Sequence, residues 1–137
     1  MKRILVAVDG SPHSLKAVRS ALEAAPSAEL HLINVRAHLT GTAASHLGRK
    51  AVDDYHLDEG MKDLAPAIEA ARSAGVTPKH HVCVGAPGET IARFAEQIGA
   101  DTIVIGSKGR GQVSDIVLGS AVQAVLEESK VPVLVVK

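Results

Sequence analysis

The sequence predicts an α/β domain built on a parallel, doubly wound sheet. The apolar runs at residues 4–8 and 133–136 are continuous rather than alternating, which is typical of strands covered by helices on both faces. Amphipathic stretches of helical length separate the apolar runs, so strands and helices alternate along the chain. Aromatic residues make up only 1% of the sequence, and an aliphatic core of this kind suits parallel α/β packing.

Each element has its own signals. Strands are predicted at Ile4–Val8, Glu29–Val35, Thr77–Val84, Thr102–Ile105 and Val131–Val136. Helices are predicted at Ser14–Ala25, from about Val52 to Ala74 and at Glu89–Ile98, with a fourth before the last strand. Ser11 and Pro12 supply a cap and a first helical residue, and Gly75 supplies a C-cap. Gly60 weakens the prediction that the second helix is continuous, and residues 36–50 are predicted to form a loop or a weak helix.

Length and composition limit the classes of function. The chain has 137 residues, which predicts a single domain over residues 1–137. Lys plus Arg and Asp plus Glu balance at 15 each, which argues against nucleic acid or an anionic membrane as a partner. The one cysteine, Cys83, lies in an apolar run and is predicted to be a buried, unreactive thiol. The apolar stretch that begins at Ile4 ends at Asp9, too early for a signal peptide, so a cytoplasmic location is expected.

Two turns at the carboxyl ends of strands are candidates for a ligand site. Asp9 follows the first strand, and the glycine-rich segment at residues 106–111 follows the fourth. If the strand order is 3-2-1-4-5, the two turns share one crevice. Glycine amides and a helix N-terminus would then donate to an anion, with Lys108 and Arg110 adding positive charge. Asp9 has two open uses, which are accepting from ribose hydroxyls and ordering a phosphate-bound cation.

Taken alone, the glycine segment is ambiguous. It does not fit G-x-G-x-x-G or the P-loop, and a flexible strand-to-helix connection would explain it equally well. A longer pattern, Gly106-x2-Gly109-x9-Gly119-Ser120, matches the G-x2-G-x9-G-[ST] nucleotide motif of the universal stress protein family. The segments at residues 4–11, 85–87, 100–106 and 131–136 also resemble that family, so the resemblance spans almost the whole chain.

The resemblance implies a fold, a cofactor and an assembly. The fold would be a five-stranded sheet of order 3-2-1-4-5, Rossmann-like and similar to the adenine nucleotide alpha hydrolases. The ligand would be ATP with Mg²⁺ or Mn²⁺ bound through the phosphates, and the protein would be a regulatory or protective factor in stress response. The apolar edge strand Val131–Val136 predicts the contact of a homodimer, because an unpaired edge of this kind invites association.

The resemblance also implies the residues of the site. Asp9 and Val35, with Ala7 nearby, would contact the ribose and adenine. The phosphates and ribose would be lined by Ile105, Gly106, Gly109, Gly119, Ser120 and Ala121. Ser107 and Arg110 are variable loop positions of the same motif. Val122 stands where a threonine is often found, so a hydroxyl contact there is in doubt.

Catalysis and metal binding find less support in the sequence. The seven histidines give no tight cluster of ligands, and His80 and His81 point to opposite faces of a strand. No nucleophile with a base and an orienting acid is readable, so binding is favoured over turnover. Slow ATP hydrolysis and a nucleotide-independent interaction module remain alternatives. A receiver domain fits less well, because Gly85 stands where a receiver needs an aspartate after strand three. An ATP pyrophosphatase fits less well, because residues 9–14 only distantly resemble its Ser-Gly-Gly-rich phosphate loop after strand one.

Overall fold

Five parallel strands form one sheet in the order β3-β2-β1-β4-β5, as the family resemblance implies. The computed structural model describes residues 1–39, 46–109 and 118–137. The strands are β1 (Arg3–Ala7), β2 (Glu29–Arg36), β3 (Lys79–Val84), β4 (Thr102–Gly106) and β5 (Val133–Val136). The helices in these ranges are α1 (Pro12–Ala24), α2 (Arg49–Ser73), α3 (Pro87–Ile98) and α4 (Ser120–Glu128). The order reverses at β1 and β4, so their carboxyl ends flank a crevice.

Helices cover both faces of the sheet and divide the core into two layers. Ile4 and Val6 of β1 point to the layer under α1 and α2, whereas Leu5 points to the layer under α3 and α4. All three side chains are fully buried. This arrangement explains the continuous apolar runs, because successive residues of a strand enter opposite layers.

Two strands begin later than the sequence predicted. Strand β3 begins at Lys79 rather than Thr77, and β5 begins at Val133 rather than Val131. A proline, Pro78 or Pro132, precedes each observed start. Proline has no backbone N–H to give to the ladder, so regular pairing begins after it.

Helix α2 is continuous through Gly60, although the glycine argued against this. A Cβ at position 60 would lie 2.7 Å from both γ-methyls of Val82 on β3. The glycine therefore lets α2 approach the sheet closely, and this packing outweighs its low helix propensity. The helix begins at Arg49, inside the segment predicted as a loop or a weak helix, of which residues 40–45 lie outside the described residues.

Cys83 is half-buried rather than buried as the sequence predicted. It lies on β3, which is at one end of the sheet and has β2 as its neighbour among the described strands. Partial burial raises the pKa of its thiol, which disfavours the reactive thiolate. None of the helices in the described ranges is both long and apolar enough to span a membrane.

Charged side chains cluster around Glu29 at the amino ends of the strands. Its carboxylate accepts from Lys79 Nζ at 3.0 Å and contacts His31 Nε2 at 3.1 Å, and it pairs with the Arg3 guanidinium. His31 Nδ1 lies 3.0 Å from His81 Nε2. Burial is the main cause that lowers the pKa of His81, helped by the neighbouring charges. The hydrogen bonds, led by that with His31, lower the pKa of Glu29 from 4.5 to about 2.

The lowered pKa of Glu29 predicts how stability depends on pH. Because the folded pKa lies below the unfolded value, the stabilisation is fully present above pH 4.5 and is lost as pH falls toward about 2. We expect the difference in unfolding free energy between the wild type and Glu29→Gln to shrink between about pH 6 and about pH 3. Urea unfolding at several pH values measures it, with exposed Glu23→Gln as the control. A difference that stays constant over this range contradicts the prediction.

Candidate functional site

A cavity of about 190 Å³ opens at the carboxyl ends of β1 and β4. A buried water needs only about 10–15 Å³ of the same measure, so this space is that of a small-molecule site rather than a packing defect. It is lined by Ala7, Val8, Asp9, Ser14, Ile33, Val35, Pro87, Ile91, Ile105, Gly106, Lys108, Gly109, Gly119, Ser120, Ala121 and Val122. One wall is aliphatic and the other carries glycine backbone, hydroxyls and charges. Such a cavity can hold a ligand with an apolar ring and a charged, polar end.

The structure brings together the predicted residues that it describes, with one exception. Each of them other than Ser107 lines the cavity. Ser107 is buried, its amide donates to the Val136 carbonyl at 2.7 Å, and its carbonyl accepts from the Gly119 amide at 2.9 Å. The Ser107 backbone thus connects β5 with both parts of the glycine motif, which are residues 106–109 and 119–120. Arg110 lies outside the described residues.

Asp9 closes the turn between β1 and α1. Its Oδ1 accepts from the Ser11 amide at 2.9 Å, and its own amide donates to Ser14 Oγ at 3.3 Å. Ser11 caps α1 by accepting from the Ser14 amide at 3.2 Å, as the sequence predicted. Asp9 therefore closes the turn through Oδ1 and also lines the cavity, because its carboxylate has a second oxygen, Oδ2.

That second oxygen faces the glycine loop. A Cβ built on Gly109 would lie 3.0 Å from Asp9 Oδ2, so a larger residue would crowd the carboxylate. The glycine brings the loop backbone close to the acidic side chain and leaves room for a ligand. The two turns predicted from the sequence thus meet at this point.

The N-terminus of α4 forms another part of the wall. Gly119 is the N-cap, and no side chain in the described residues caps the helix. Ser120 is exposed and is the first helical residue. The first amides of α4 and the helix dipole consequently favour an anion at this end of the cavity.

Several lining residues were absent from the predicted site. Ile33 precedes Val35 by two positions and so shares its face of β2. Pro87 and Ile91 lie one turn apart at the start of α3, and this spacing was readable from the sequence. Val8 lines the cavity directly before Asp9, and Ser14 lines it from the first turn of α1. Lys108, which the sequence predicted to add positive charge, lines it from the motif loop.

Metal-ligating side chains are not clustered in the described parts of the chain. In residues 1–39, 46–109 and 118–137, no group of three or more His, Cys, Asp or Glu residues is placed to hold a metal ion. Mg²⁺ commonly takes oxygen ligands from carboxylates, phosphates and water, and Asp9 is a carboxylate that lines the cavity.

Comparison with known proteins agrees with the fold and with the family resemblance. The model of the universal stress protein family matches residues 1–137. The chain belongs to the universal stress protein family. Universal stress protein YxiE of Bacillus subtilis is 33% identical to this chain in an alignment 145 positions long, gaps included. The alignment covers 98% of each protein.

Two solved structures extend the comparison. The structure of protein MJ0577 has a TM-score of 0.82 and 26% identity, with 99% of this chain and 95% of that one covered. A universal stress protein in complex with cAMP has a TM-score of 0.75 and 28% identity, with 99% and 97% covered. The likeness thus includes a family structure that holds an adenine nucleotide.

Proposed function

We propose that this universal stress protein binds ATP, with Mg²⁺ or Mn²⁺ on the phosphates, and acts as a cytoplasmic regulatory or protective factor in stress response. The observation that carries the proposal is one cavity lined by Asp9, Gly106, Gly109, Gly119 and Ser120. The cAMP complex of a family member supports an adenine nucleotide as the ligand class.

The two walls suit the two ends of a nucleotide. The aliphatic residues Ile33, Val35, Pro87 and Ile91 would contact the adenine. The uncapped amides of α4 and the loop glycines would donate to phosphate oxygens. Asp9 would accept from the ribose hydroxyls or help to hold the cation, and the other ligands of the cation would come from phosphate and water.

We propose binding rather than turnover as the main activity. The polar side chains that line the cavity are Asp9, Ser14, Lys108 and Ser120, and the described lining includes no histidine or cysteine. A bound nucleotide could still be hydrolysed slowly by water. The function would then depend on which nucleotide is bound rather than on the rate of its conversion.

The test is to identify and titrate the nucleotide. Mass spectrometry of the denatured protein identifies any nucleotide that copurifies, and calorimetry of nucleotide-free protein compares ATP, ADP, AMP and cAMP with and without Mg²⁺. ATP binding tighter than AMP binding supports contact between the phosphates and the glycine loop. Binding of none of them overturns the proposal and favours a nucleotide-independent interaction module. Accumulation of ADP at a steady rate would instead identify a slow ATPase.

We further propose that the protein is a homodimer that associates through β5. Strand β5 is at one end of the sheet and, among the described strands, pairs only with β4. Leu134 on this strand is 37% exposed, whereas Val133 and Val135 are partly buried against the core. An apolar edge strand with an exposed leucine is a favourable surface for a second copy.

Leu134→Lys is expected to convert the dimer to a monomer. The lysine places a charge on the exposed face of β5 and leaves the contacts of Val133 and Val135 with the core in place. Sedimentation velocity measures the change, with Leu126→Lys on exposed α4 as the control. Dimers that persist in Leu134→Lys, or a wild type that is already monomeric, contradict the prediction.

A further inference from the structure

A buried amide connects β2 to the chain immediately before Asp9. Asn34 lies on β2, on the sheet face covered by α1 and α2, and is only 2% exposed. Its Nδ2 donates to the Val8 carbonyl at 2.8 Å and to Asp63 Oδ2 on α2 at 3.2 Å. Val8 and Asp9 both line the cavity, so this contact reaches the site from behind the sheet.

The surroundings of Asn34 fix the orientation of its amide. Both partners of Nδ2 are acceptors, so a flipped side chain would place Oδ1 against two oxygens. Asp63 is itself held by Arg36, whose Nη1 lies 3.6 Å from Asp63 Oδ2 and whose guanidinium lies over the Tyr55 ring at 5.7 Å. The donor therefore points at the Val8 carbonyl in a single orientation.

The asparagine satisfies one buried group and leaves another without a partner. Among the described residues, buried Asn34 Oδ1 has no hydrogen-bond partner. That unpaired oxygen is destabilising, whereas an aliphatic residue here would instead leave the Val8 carbonyl without its Asn34 donor. The asparagine is therefore best explained by the hydrogen bond that its Nδ2 donates to the Val8 carbonyl.

That donor completes a clamp on the peptide between Val8 and Asp9. The carbonyl of this peptide accepts from Asn34, and its N–H donates to Ser14 Oγ at 3.3 Å. The Val8 amide also donates to the Ile33 carbonyl at 2.8 Å. With both ends of the peptide held, the direction in which Asp9 leaves the backbone is fixed.

We propose that Asn34 is a positioning residue, which orients the Asp9 carboxylate for the nucleotide. The inference rests on the proposed function in that Asp9 contacts the nucleotide or its cation. Asn34 itself makes no contact with the ligand. It acts from the opposite face of the sheet through the peptide that it holds.

The test replaces Asn34 by leucine, which has the same branched skeleton of side-chain heavy atoms and no donor. We expect Asn34→Leu to weaken ATP binding about tenfold in calorimetry. Combined with Asp9→Asn, it should add less than about twofold to the loss caused by Asp9→Asn alone, because both changes remove the same contact. Losses that multiply in the double variant would show a general structural effect and overturn the proposal.

Thr102→Val is the matched control. Thr102 is a buried polar residue at the amino end of β4, where its Oγ1 donates to Asp101 Oδ1 at 2.9 Å. Its replacement should leave ATP affinity unchanged within about twofold. Should Asn34→Leu fail to fold, Asn34→Ala takes its place, since the smaller side chain also removes the donor to the Val8 carbonyl. An unchanged affinity in Asn34→Ala would then overturn the proposal.

A measurement without nucleotide separates this inference from the proposed function. The Ser11 amide donates to Asp9 Oδ1, so its hydrogen exchange reports the position of the carboxylate. We expect exchange at Ser11 to accelerate about tenfold in Asn34→Leu but not in Thr102→Val. Unchanged exchange overturns the positioning role. Faster exchange in a protein that binds no nucleotide overturns only the proposed function.

Discussion

Changing Gly109 and Gly119 together to valine is expected to weaken ATP binding about 100-fold or more, as measured by calorimetry. A Cβ on Gly109 would already lie 3.0 Å from Asp9 Oδ2, and the valine methyls would extend into the cavity. Gly119 is the N-cap of α4, so a branched side chain there would obstruct access to the first amides of the helix. The double variant thus removes the close approach on which phosphate binding by backbone depends.

Gly48→Val is the control for this double variant. Gly48 is the N-cap of α2, and an added Cβ there meets no heavy atom of the described residues within 4 Å. Gly106 is unsuitable for the test, because its Cβ would lie 2.9 Å from the His13 carbonyl oxygen and disturb the fold. Equal ATP affinity in the wild type and the double variant would remove the glycine loop from the site.

Gly88→Ala is expected to have the largest effect on stability. Helices α3 and α4 pack so closely at this point that the new Cβ would lie 2.2 Å from Ala124 Cβ and 3.0 Å from the Ala121 carbonyl oxygen. The helices must separate to admit one methyl group. We expect a loss of about 3 kcal/mol in the free energy of unfolding, which lowers Tm by about 10 °C.

A compensating change tests the cause of this effect. In Gly88→Ala with Ala124→Gly the main clash is removed, so part of the lost Tm should return. Gly48→Ala, the same substitution in open space, should change the free energy of unfolding by no more than about 0.5 kcal/mol. Thermal unfolding followed by circular dichroism measures all three proteins. A Gly88→Ala protein as stable as the wild type would show that the interface between α3 and α4 adjusts without strain.

The fold followed from the sequence because burial on both faces leaves a readable pattern. The runs at Ile4–Val8 and Val133–Val136 had no polar interruption, and a parallel sheet is the ordinary setting for such runs. The predicted strand starts were less accurate. Pro78 and Pro132 lie inside the segments predicted as strands, and regular pairing begins only after each proline. The continuity of α2 through Gly60 depended on a contact with Val82, which is distant in sequence.

The site was predictable where its residues follow one motif and less so where tertiary structure supplies them. The spacing of Gly106, Gly109 and Gly119 identified one wall directly. Ile33 and Ile91 come from different elements, and their apolar side chains look like ordinary core residues in the sequence. Asn34 gave no signal either, because the contact that distinguishes it is with the Val8 carbonyl.

The position of Tyr55 gives the molecule an optical property. The chain has one tyrosine, one phenylalanine and no tryptophan, so excitation at wavelengths that Phe94 does not absorb gives emission from the Tyr55 ring alone. That ring lies under the Arg36 guanidinium, which is in turn paired with Asp63. Any rearrangement of this pair changes the surroundings of the only emitter. Tyrosine emission therefore observes the end of α2 nearest the Asp9 turn, without a label.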